Sequence, residues 1–211
     1  MQITEIYHSI QGESRFAGLP CLFVRTTGCN LRCVWCDTEY SFYGGQNKSL
    51  DEIVDTVQSY QCNLVEITGG EPLLQKETPE LVHRLLRLGY ETLVETSGER
   101  DISVIDERAV RIMDLKCPGS GESSKNRWEN ISCLTSNDEV KFVLKNRKDY
   151  EWSCNIIQKY DLEKKVYIIF SPVFGEIDLQ NLASWILKDN LKVRFQLQLH
   201  KQIWRPEARG V

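Results

Sequence analysis

Apolar positions along the chain switch between a strand-like and a helix-like period, and the switches recur in order. Residues 21–26 (CLFVRT) form a short apolar run of the buried-strand type, followed by a long loop, 27–48, rich in cysteine, glycine and aromatics. Ser49-Leu50-Asp51-Glu52 has capping-box spacing, and Leu50, Ile53, Val54 and Val57 recur behind it at helical period. Residues 64–68 (LVEIT) predict a second strand. Thr78-Pro79 is expected to open a helix as N-cap and first helical residue, with Leu81, Val82, Leu85 and Leu86 as its apolar face and Gly89 at its end. Strands are predicted at 92–96, 110–115 and 139–144, with a short helix near Trp128 before the last of these. A helix over 146–160, a strand over 166–170, a helix over 178–188 and a final strand over 193–199 complete the pattern. No repeat and no low-complexity linker divides the chain.

Strands alternating with helices imply right-handed βαβ units and a largely parallel sheet. About six or seven strands fall short of the eight that close a full barrel of ~250 residues. The expected fold is therefore α/β, a partial, open parallel β/α barrel of about six strands. A flat doubly wound sheet is the alternative, but no Gly-x-Gly-x-x-Gly turn supports a dinucleotide site. Chemically capable residues gather just past successive strands: the cysteine loop, Thr68-Gly69-Gly70-Glu71, Thr96-Ser97-Gly98, Lys116, Ser171-Pro172 and His200. In α/β barrels the loops after the strand C-termini build the active site, so this arrangement points to an enzyme.

Composition excludes several other classes. Hydrophobic residues are 41% and charged residues 27% of the chain, which removes intrinsic disorder and collagen-like structure. A formal charge of −4 argues against binding nucleic acid by general phosphate neutralisation. No apolar run approaches the ~20 residues that span a bilayer. Met1-Gln2-Ile3-Thr4-Glu5 has neither the basic leader nor the apolar stretch of a signal peptide, so a soluble, cytoplasmic protein is expected.

Without an export signal, the eight cysteines speak for metal binding or catalysis rather than for disulfides. Cys21, Cys62, Cys117, Cys133 and Cys154 are scattered singly, as small buried hydrophobes are. Cys29, Cys33 and Cys36 form C-x3-C-x2-C, three thiolates on one turn. A structural zinc site closes with four ligands, and there is no second C-x-x-C; the only histidines are His8, His83 and His200. Three cysteines match a [4Fe–4S] cluster with one unligated iron; zinc and the absence of metal are the other possibilities on spacing alone.

With Trp35 before the third cysteine and Gly69-Gly70-Glu71-Pro72 following one βα unit later, the chain resembles the radical S-adenosylmethionine (SAM) family. There the amino and carboxylate groups of SAM chelate the open iron. The glycines would let backbone approach the methionyl ammonium, and Glu71 would add a charge-assisted acceptor. Further stretches resemble the 7-carboxy-7-deazaguanine synthases within that family: Ser9-Ile10-Gln11-Gly12-Glu13, Gly18-Leu19-Pro20, Phe23-Val24-Arg25, Gly28-Cys29-Asn30-Leu31 and Trp35-Cys36-Asp37-Thr38. Glu95-Thr96-Ser97-Gly98, Asp114-Leu115-Lys116-Cys117-Pro118, Gln198-Leu199-His200-Lys201 and the tail from Pro206 to Val211 continue the match. Ser14 departs from it, since the family often has a second glycine after Gln-Gly-Glu.

The resemblance implies a lyase that converts 6-carboxy-5,6,7,8-tetrahydropterin to 7-carboxy-7-deazaguanine with release of ammonia, in queuosine or other 7-deazapurine biosynthesis. An electron from the reduced cluster cleaves SAM to a 5′-deoxyadenosyl radical that takes hydrogen from substrate C6 and later returns it. The implied domain is 1–211, with an N-terminal substrate-binding segment and a C-terminal tail closing the site. SAM would meet Trp35, Cys36, Asp37, Gly69, Gly70, Glu71, Ser97 and Lys116, with Ser171 to Phe174 framing the adenine. Substrate would meet Ile10, Gln11, Gly12, Glu13, Arg25, Thr68, His200 and the terminal carboxylate on Val211. Amide and carboxylate groups such as Gln11 and Glu13 complement a pterin edge, and the Arg25 guanidinium suits the substrate carboxylate. Mg2+ would sit on the Thr38 hydroxyl and substrate oxygens. A flavodoxin- or ferredoxin-type reductant and a homodimer are the implied partners. A glycyl-radical activase, which needs a docking face for a protein, and a zinc-stabilised interaction module are the competing functions.

Overall fold

The computed structural model describes all of residues 1–211. Its strands are β1 (Gln2–Ile10), β2 (Pro20–Thr26), β3 (Gln46–Asn47), β4 (Leu64–Gly69), β5 (Glu91–Thr96), β6 (Val110–Asp114), β7 (Glu139–Leu144), β8 (Tyr167–Pro172) and β9 (Arg194–Phe195). The α-helices are α1 (Leu50–Gln58), α2 (Thr78–Arg87), α3 (Arg147–Tyr160), α4 (Leu179–Lys188) and a single turn, α5 (His200–Ile203). All strands join one sheet in the order β3-β1-β2-β4-β5-β6-β7-β8-β9. From β2 to β9 every pairing is parallel and every crossover advances the sheet in the same direction. No strand order reverses, so there is no switch point and the doubly wound alternative fails. The two-residue strands β3 and β9 end the sheet without pairing with each other, which leaves the barrel open.

The helices start where the sequence stops them from starting elsewhere. The Ser49–Glu52 capping box forms at α1, Asn146 accepts from the Lys148 and Asp149 amides at α3, and Asp178 accepts from the Asn181 amide at α4. Gly89, in the left-handed region at φ +88°, ends α2 as predicted. The start of α2 differs by one residue. Glu77 is the N-cap, because the Thr78 hydroxyl donates to the Pro72 carbonyl at 2.6 Å instead of capping.

Two further differences lie at the chain ends. β1 has no counterpart among the predicted strands and adds an antiparallel edge to β2. A bulge between Ile3 and Glu5 resets its phase, so Ile3 and Ile6 pack against the same core and the alternation is broken. The predicted last strand is seven residues long but only Arg194 and Phe195 pair. The Gln196 amide still donates to the Phe170 carbonyl of β8 at 3.0 Å, but its Nε2 donates to the Ser14 carbonyl at 2.7 Å, and beyond it the chain leaves the sheet, the Leu199 amide donating to the Gly12 carbonyl at 2.9 Å.

Alternation divides each strand between two interiors. Outward residues such as Val24, Ile67, Val94 and Phe142 pack with Ile53, Leu81, Leu85 and Ile157 of the helices in one large apolar core. Inward, Cys21, Phe23, Leu64, Leu93, Val110 and Ile112 plug the lower half of the barrel. Above the plug the inward positions turn polar, and the functional cavity begins there.

Candidate active site

A cavity of ≈ 450 Å³ occupies the mouth of the barrel, at the strand C-termini. Cys29, Cys33, Trp35, Cys36, Asp37 and Thr38 line it from the loop after β2; Gly69 and Gly70 do so after β4, Ser97 after β5 and Lys116 after β6. Ile10, Gln11, Gly12, Glu13, Arg25, Thr68, His200 and Val211 line the same space, so the sequence-predicted site residues converge with two exceptions.

The first exception is Glu71. It is completely buried, and its carboxylate accepts from the Leu73 amide, the Thr96 hydroxyl, and the amide and hydroxyl of Ser97. Saturated in this way, it ties the ends of β4 and β5 together and has no lone pair facing the cavity for a methionyl ammonium. It also commits the Ser97 O–H, which leaves that hydroxyl as an acceptor toward any ligand. Ser171 is the second exception: it lies buried within β8, and Val173 and Phe174 reach the cavity in its place. The glycines of the Gly-Gly-Glu turn have a packing reason of their own. A Cβ on Gly70 would stand 2.3 Å from the Gly28 carbonyl and 2.7 Å from Cys29 Cβ, so only glycine lets this turn brace the cysteine loop.

The cysteines are free thiols, half-buried on that loop. Burial raises Cys29 and Cys33, the latter to about 11, and the nearby Lys116 ammonium opposes the rise. No three Cys, His, Asp or Glu side chains converge on a single-ion position. A single zinc needs all its donors within ~2.3 Å of one point, whereas a cubane takes each thiolate on a separate iron. Three thiolates on one turn beside a cation match a cluster that takes three protein ligands and leaves one iron open. The Thr38 hydroxyl makes no capping bond and lies 3.8 Å from Cys36 Sγ.

Charged groups crowd the cavity walls. Arg25 donates through Nε to Glu5 at 2.9 Å and through Nη2 to the Tyr7 hydroxyl at 2.7 Å, while Nη1 has no protein partner. The ion pair thus aims the guanidinium and leaves part of it for a ligand. Lys141 Nζ reaches Glu13 at 3.4 Å, Asp114 at 3.9 Å and Glu95 by a direct hydrogen bond. Lys116 pairs with Asp114 at 2.9 Å. Glu13 Oε1 and Asp114 Oδ1 are buried with no partner, which is what a site short of its ligand looks like. Burial lifts Glu13 to about 7 in spite of Lys141, and burial lowers His200 so that its ring is neutral at pH 7. Gly12 is required by that ring, since a Cβ there would stand 2.2 Å from His200 Nδ1.

The tail closes over this arrangement. Lys201 Nζ donates to Asp37 at 2.7 Å and Gln198 Nε2 donates to it at 3.3 Å, so the Lys201 ammonium holds the Asp37 carboxyl low, at about 2. Arg209 stacks on the Tyr40 ring at 4.2 Å. Glu66 and Lys141 were missed by sequence reasoning, though a signal existed: each is a charged residue midway along an otherwise buried strand, in LVEIT and EVKFVL. Tyr7, on the strand that periodicity overlooked, was invisible for that reason.

Residues 23–186 match the radical SAM superfamily. A 7-carboxy-7-deazaguanine synthase of Koribacter versatilis is 50% identical over 226 aligned residues, covering all of both chains. One from Chlorobaculum tepidum is 43% identical, covering all of this chain and 97% of that protein. This chain belongs to the 7-carboxy-7-deazaguanine synthase family of radical SAM proteins. The crystal structure of QueE from Escherichia coli, 21% identical, matches its fold with a TM-score of 0.77 over 94% of each chain. Family membership brings the [4Fe–4S] cluster and SAM as cofactors, in accord with the donor set at Cys29, Cys33 and Cys36. No helix is long and apolar enough to cross a membrane.

Proposed function

We propose that the chain converts 6-carboxy-5,6,7,8-tetrahydropterin to 7-carboxy-7-deazaguanine and ammonia, for queuosine or other 7-deazapurine synthesis. The observation that carries this is a single cavity with the three cysteines on one wall and a carboxylate- and guanidinium-lined floor on the other, in a chain 50% identical along its whole length to a synthase of that name. Substrate and product differ by NH3 alone, so the reaction consumes no net oxidant.

Cys29, Cys33 and Cys36 would hold the cluster, which together with SAM would supply a radical able to abstract hydrogen. The remaining work is done by side chains. Trp35 to Asp37, Gly69, Gly70, Ser97 and Lys116 would hold SAM, the Lys116 ammonium being suited to its carboxylate. Arg25, aimed by Glu5, takes the substrate carboxylate through its free Nη1. Gln11, Glu13, Thr68 and His200 hold the heterocycle, with the orphaned Glu13 Oε1 accepting from its N–H edge. The Thr38 hydroxyl, which makes no capping bond, would be the protein ligand to Mg2+. The same reading extends to a cytoplasmic homodimer reduced by a flavodoxin- or ferredoxin-type protein, as the family resemblance implies.

Anaerobically reconstituted protein given SAM, Mg2+, a low-potential reductant and the carboxylated tetrahydropterin tests the function. One ammonia released per 7-carboxy-7-deazaguanine formed, with SAM recovered over many turnovers, is the expected result. SAM cleavage that ignores the pterin and responds to a partner protein instead overturns it in favour of an activase.

A further inference from the structure

The cavity floor holds three carboxyl groups, Glu13, Glu66 and Glu95, around one ammonium, Lys141. Lys141 reaches Glu13, Glu95 and Asp114 but not Glu66. The other nearby cations are matched elsewhere, Arg25 by Glu5 and Lys116 by Asp114. Glu66, only 3% exposed, stands on β4 between Leu64 of the apolar plug and Thr68 of the cavity wall. Its one polar contact is with Gln11, whose Nε2 donates to Oε2 at 2.5 Å. The Gln11 Oε1 accepts from the Glu13 amide at 3.1 Å, so this amide group cannot turn over.

We propose that Glu66 is a specificity-determining residue of the substrate site: a neutral carboxyl whose Oε2 fixes the Gln11 amide and whose Oε1 offers an O–H to a carbonyl or ring-nitrogen acceptor of the bound heterocycle. The inference rests on the reading that the cavity takes a carboxylated pterin. A buried carboxyl with no cation in contact keeps its proton. The groups facing Glu66 are Tyr7 from β1, Cys21 from β2, Glu13, Glu95 from β5 and Lys141 from β7. Burial, with the Glu95 charge adding to it, pushes Glu66 well above the carboxylate range, and burial keeps the Tyr7 and Cys21 side chains uncharged. Because Oε2 accepts from Gln11, the proton resides on Oε1, which has no partner in the protein and lies on a residue that lines the cavity.

Glutamine is the isostere of a neutral glutamic acid: its amide can accept from Gln11 and donate into the cavity, whereas valine can do neither. The reconstituted protein, with SAM and Mg2+ bound, is titrated with fluorescent 6-carboxypterin, the oxidised form of the substrate. Glu66→Gln should bind within about threefold of the parent, while Glu66→Val should bind roughly ten- to a hundredfold more weakly and raise KM more than it lowers kcat. Glu66→Met, a second apolar replacement, carries the same expectation as Glu66→Val. Both apolar variants strand the buried Gln11 Nε2 without its acceptor and should melt somewhat below the parent, so binding is measured on the folded, cluster-loaded protein, where Glu66→Gln, which keeps that acceptor, is the control for stability. Parent-like pterin binding by Glu66→Val overturns the proposal alone, and so does a Glu66→Gln variant as weak as Glu66→Val, since an anion would then be required. A parent protein that does not bind the pterin overturns the functional reading and the proposal with it.

Discussion

The two faces of the same strands show how differently a barrel can be filled. Toward the helices, Ile67, Val94, Met113 and Phe142 pack into an apolar core of 31 buried residues, and the one charged residue on that face of β6, Arg111, is tied off by Asp138. Toward the axis, neighbours one residue away are Glu66, Glu95, Asp114 and Lys141. The outer face stabilises and carries no chemistry. The inner face places ionisable groups where water is excluded, which costs stability, and this is tolerated because only its upper half is polar; six apolar residues seal the lower half. A full barrel fills its axis with layers of packed side chains. Leaving this sheet open, with β3 and β9 unpaired at its ends, gives the upper half room for a cofactor and a substrate together.

The contrast is tested most severely at the inner rim. Cys33→Ala removes a cluster ligand and should abolish SAM cleavage while the outer core holds the fold, giving native-like circular dichroism with iron and sulfide far below the parent's. An active, iron-replete Cys33→Ala protein would mean that the triplet is not the ligand set. Next in size is Lys141→Met. It strips the shared cation from Glu13, Glu95 and Asp114, and breaking a buried ion pair from one side costs about 3–5 kcal/mol. Pterin affinity should fall by roughly a hundredfold or more and the melting temperature should drop as well. A variant within tenfold of the parent would show that the carboxylates are organised by something other than Lys141.

On the outer face the expectation reverses. Leu85 is fully buried on α2, so Leu85→Ala should lose about 2–5 kcal/mol of stability and leave turnover per folded molecule unchanged. Denaturant titration beside active-site-normalised kinetics separates the two effects. A fall in kcat as large as the fall in stability would show that the faces are mechanically coupled.

The outer face was also the legible one. Buried strands and helix faces announce themselves by period and by residue type; Ser49 caps α1 as its capping-box spacing says, and the helices predicted from 146 and 178 begin at those residues, whereas Thr78 does not cap α2. The cysteine triplet and the Gly-Gly-Glu turn were legible because their spacing is chemical. What periodicity could not supply was partnership. Glu71 looks like a ligand in sequence, yet four donors, from its own turn, from the end of β5 and from Ser97 just past it, consume it. Arg25 reads equally well as a structural ion pair or as an anion binder, and its geometry allows both at once. β1 escaped because one bulge at Thr4 put two isoleucines on the same face, out of step with any alternation. The last predicted strand is cut short because, after the Gln196 amide donates to Phe170 of β8, the tail trades sheet pairing for hydrogen bonds to the loop around Gly12 and Ser14, a choice made by tertiary contact.

The smallest expected effect concerns the price of the inner polar layer, read through pH. Glu13 ionises near pH 7 in the folded protein against an ordinary value near 4.5, because burial outweighs the pull of Lys141. Between those two values the unfolded chain has released this proton and the folded chain still holds it, so the contribution of Glu13 to stability is whole below about pH 4.5 and declines as pH rises to about 7. Glu13→Gln cannot lose that proton. Its melting temperature should therefore gain on the parent's from pH 5 to 7, and the gap should level off above that. Glu66, with no cation, stays neutral through the window and does not mimic the effect, and Glu95, held below its ordinary value by Lys141 despite burial, stays ionised. Pterin affinity should move the opposite way. The ionised carboxylate is the better acceptor for an N–H edge, so parent affinity should climb toward a plateau with a midpoint near pH 7 while Glu13→Gln stays flat. A melting gap that is constant across this range would place the Glu13 proton elsewhere, and with it the balance of charge around Lys141.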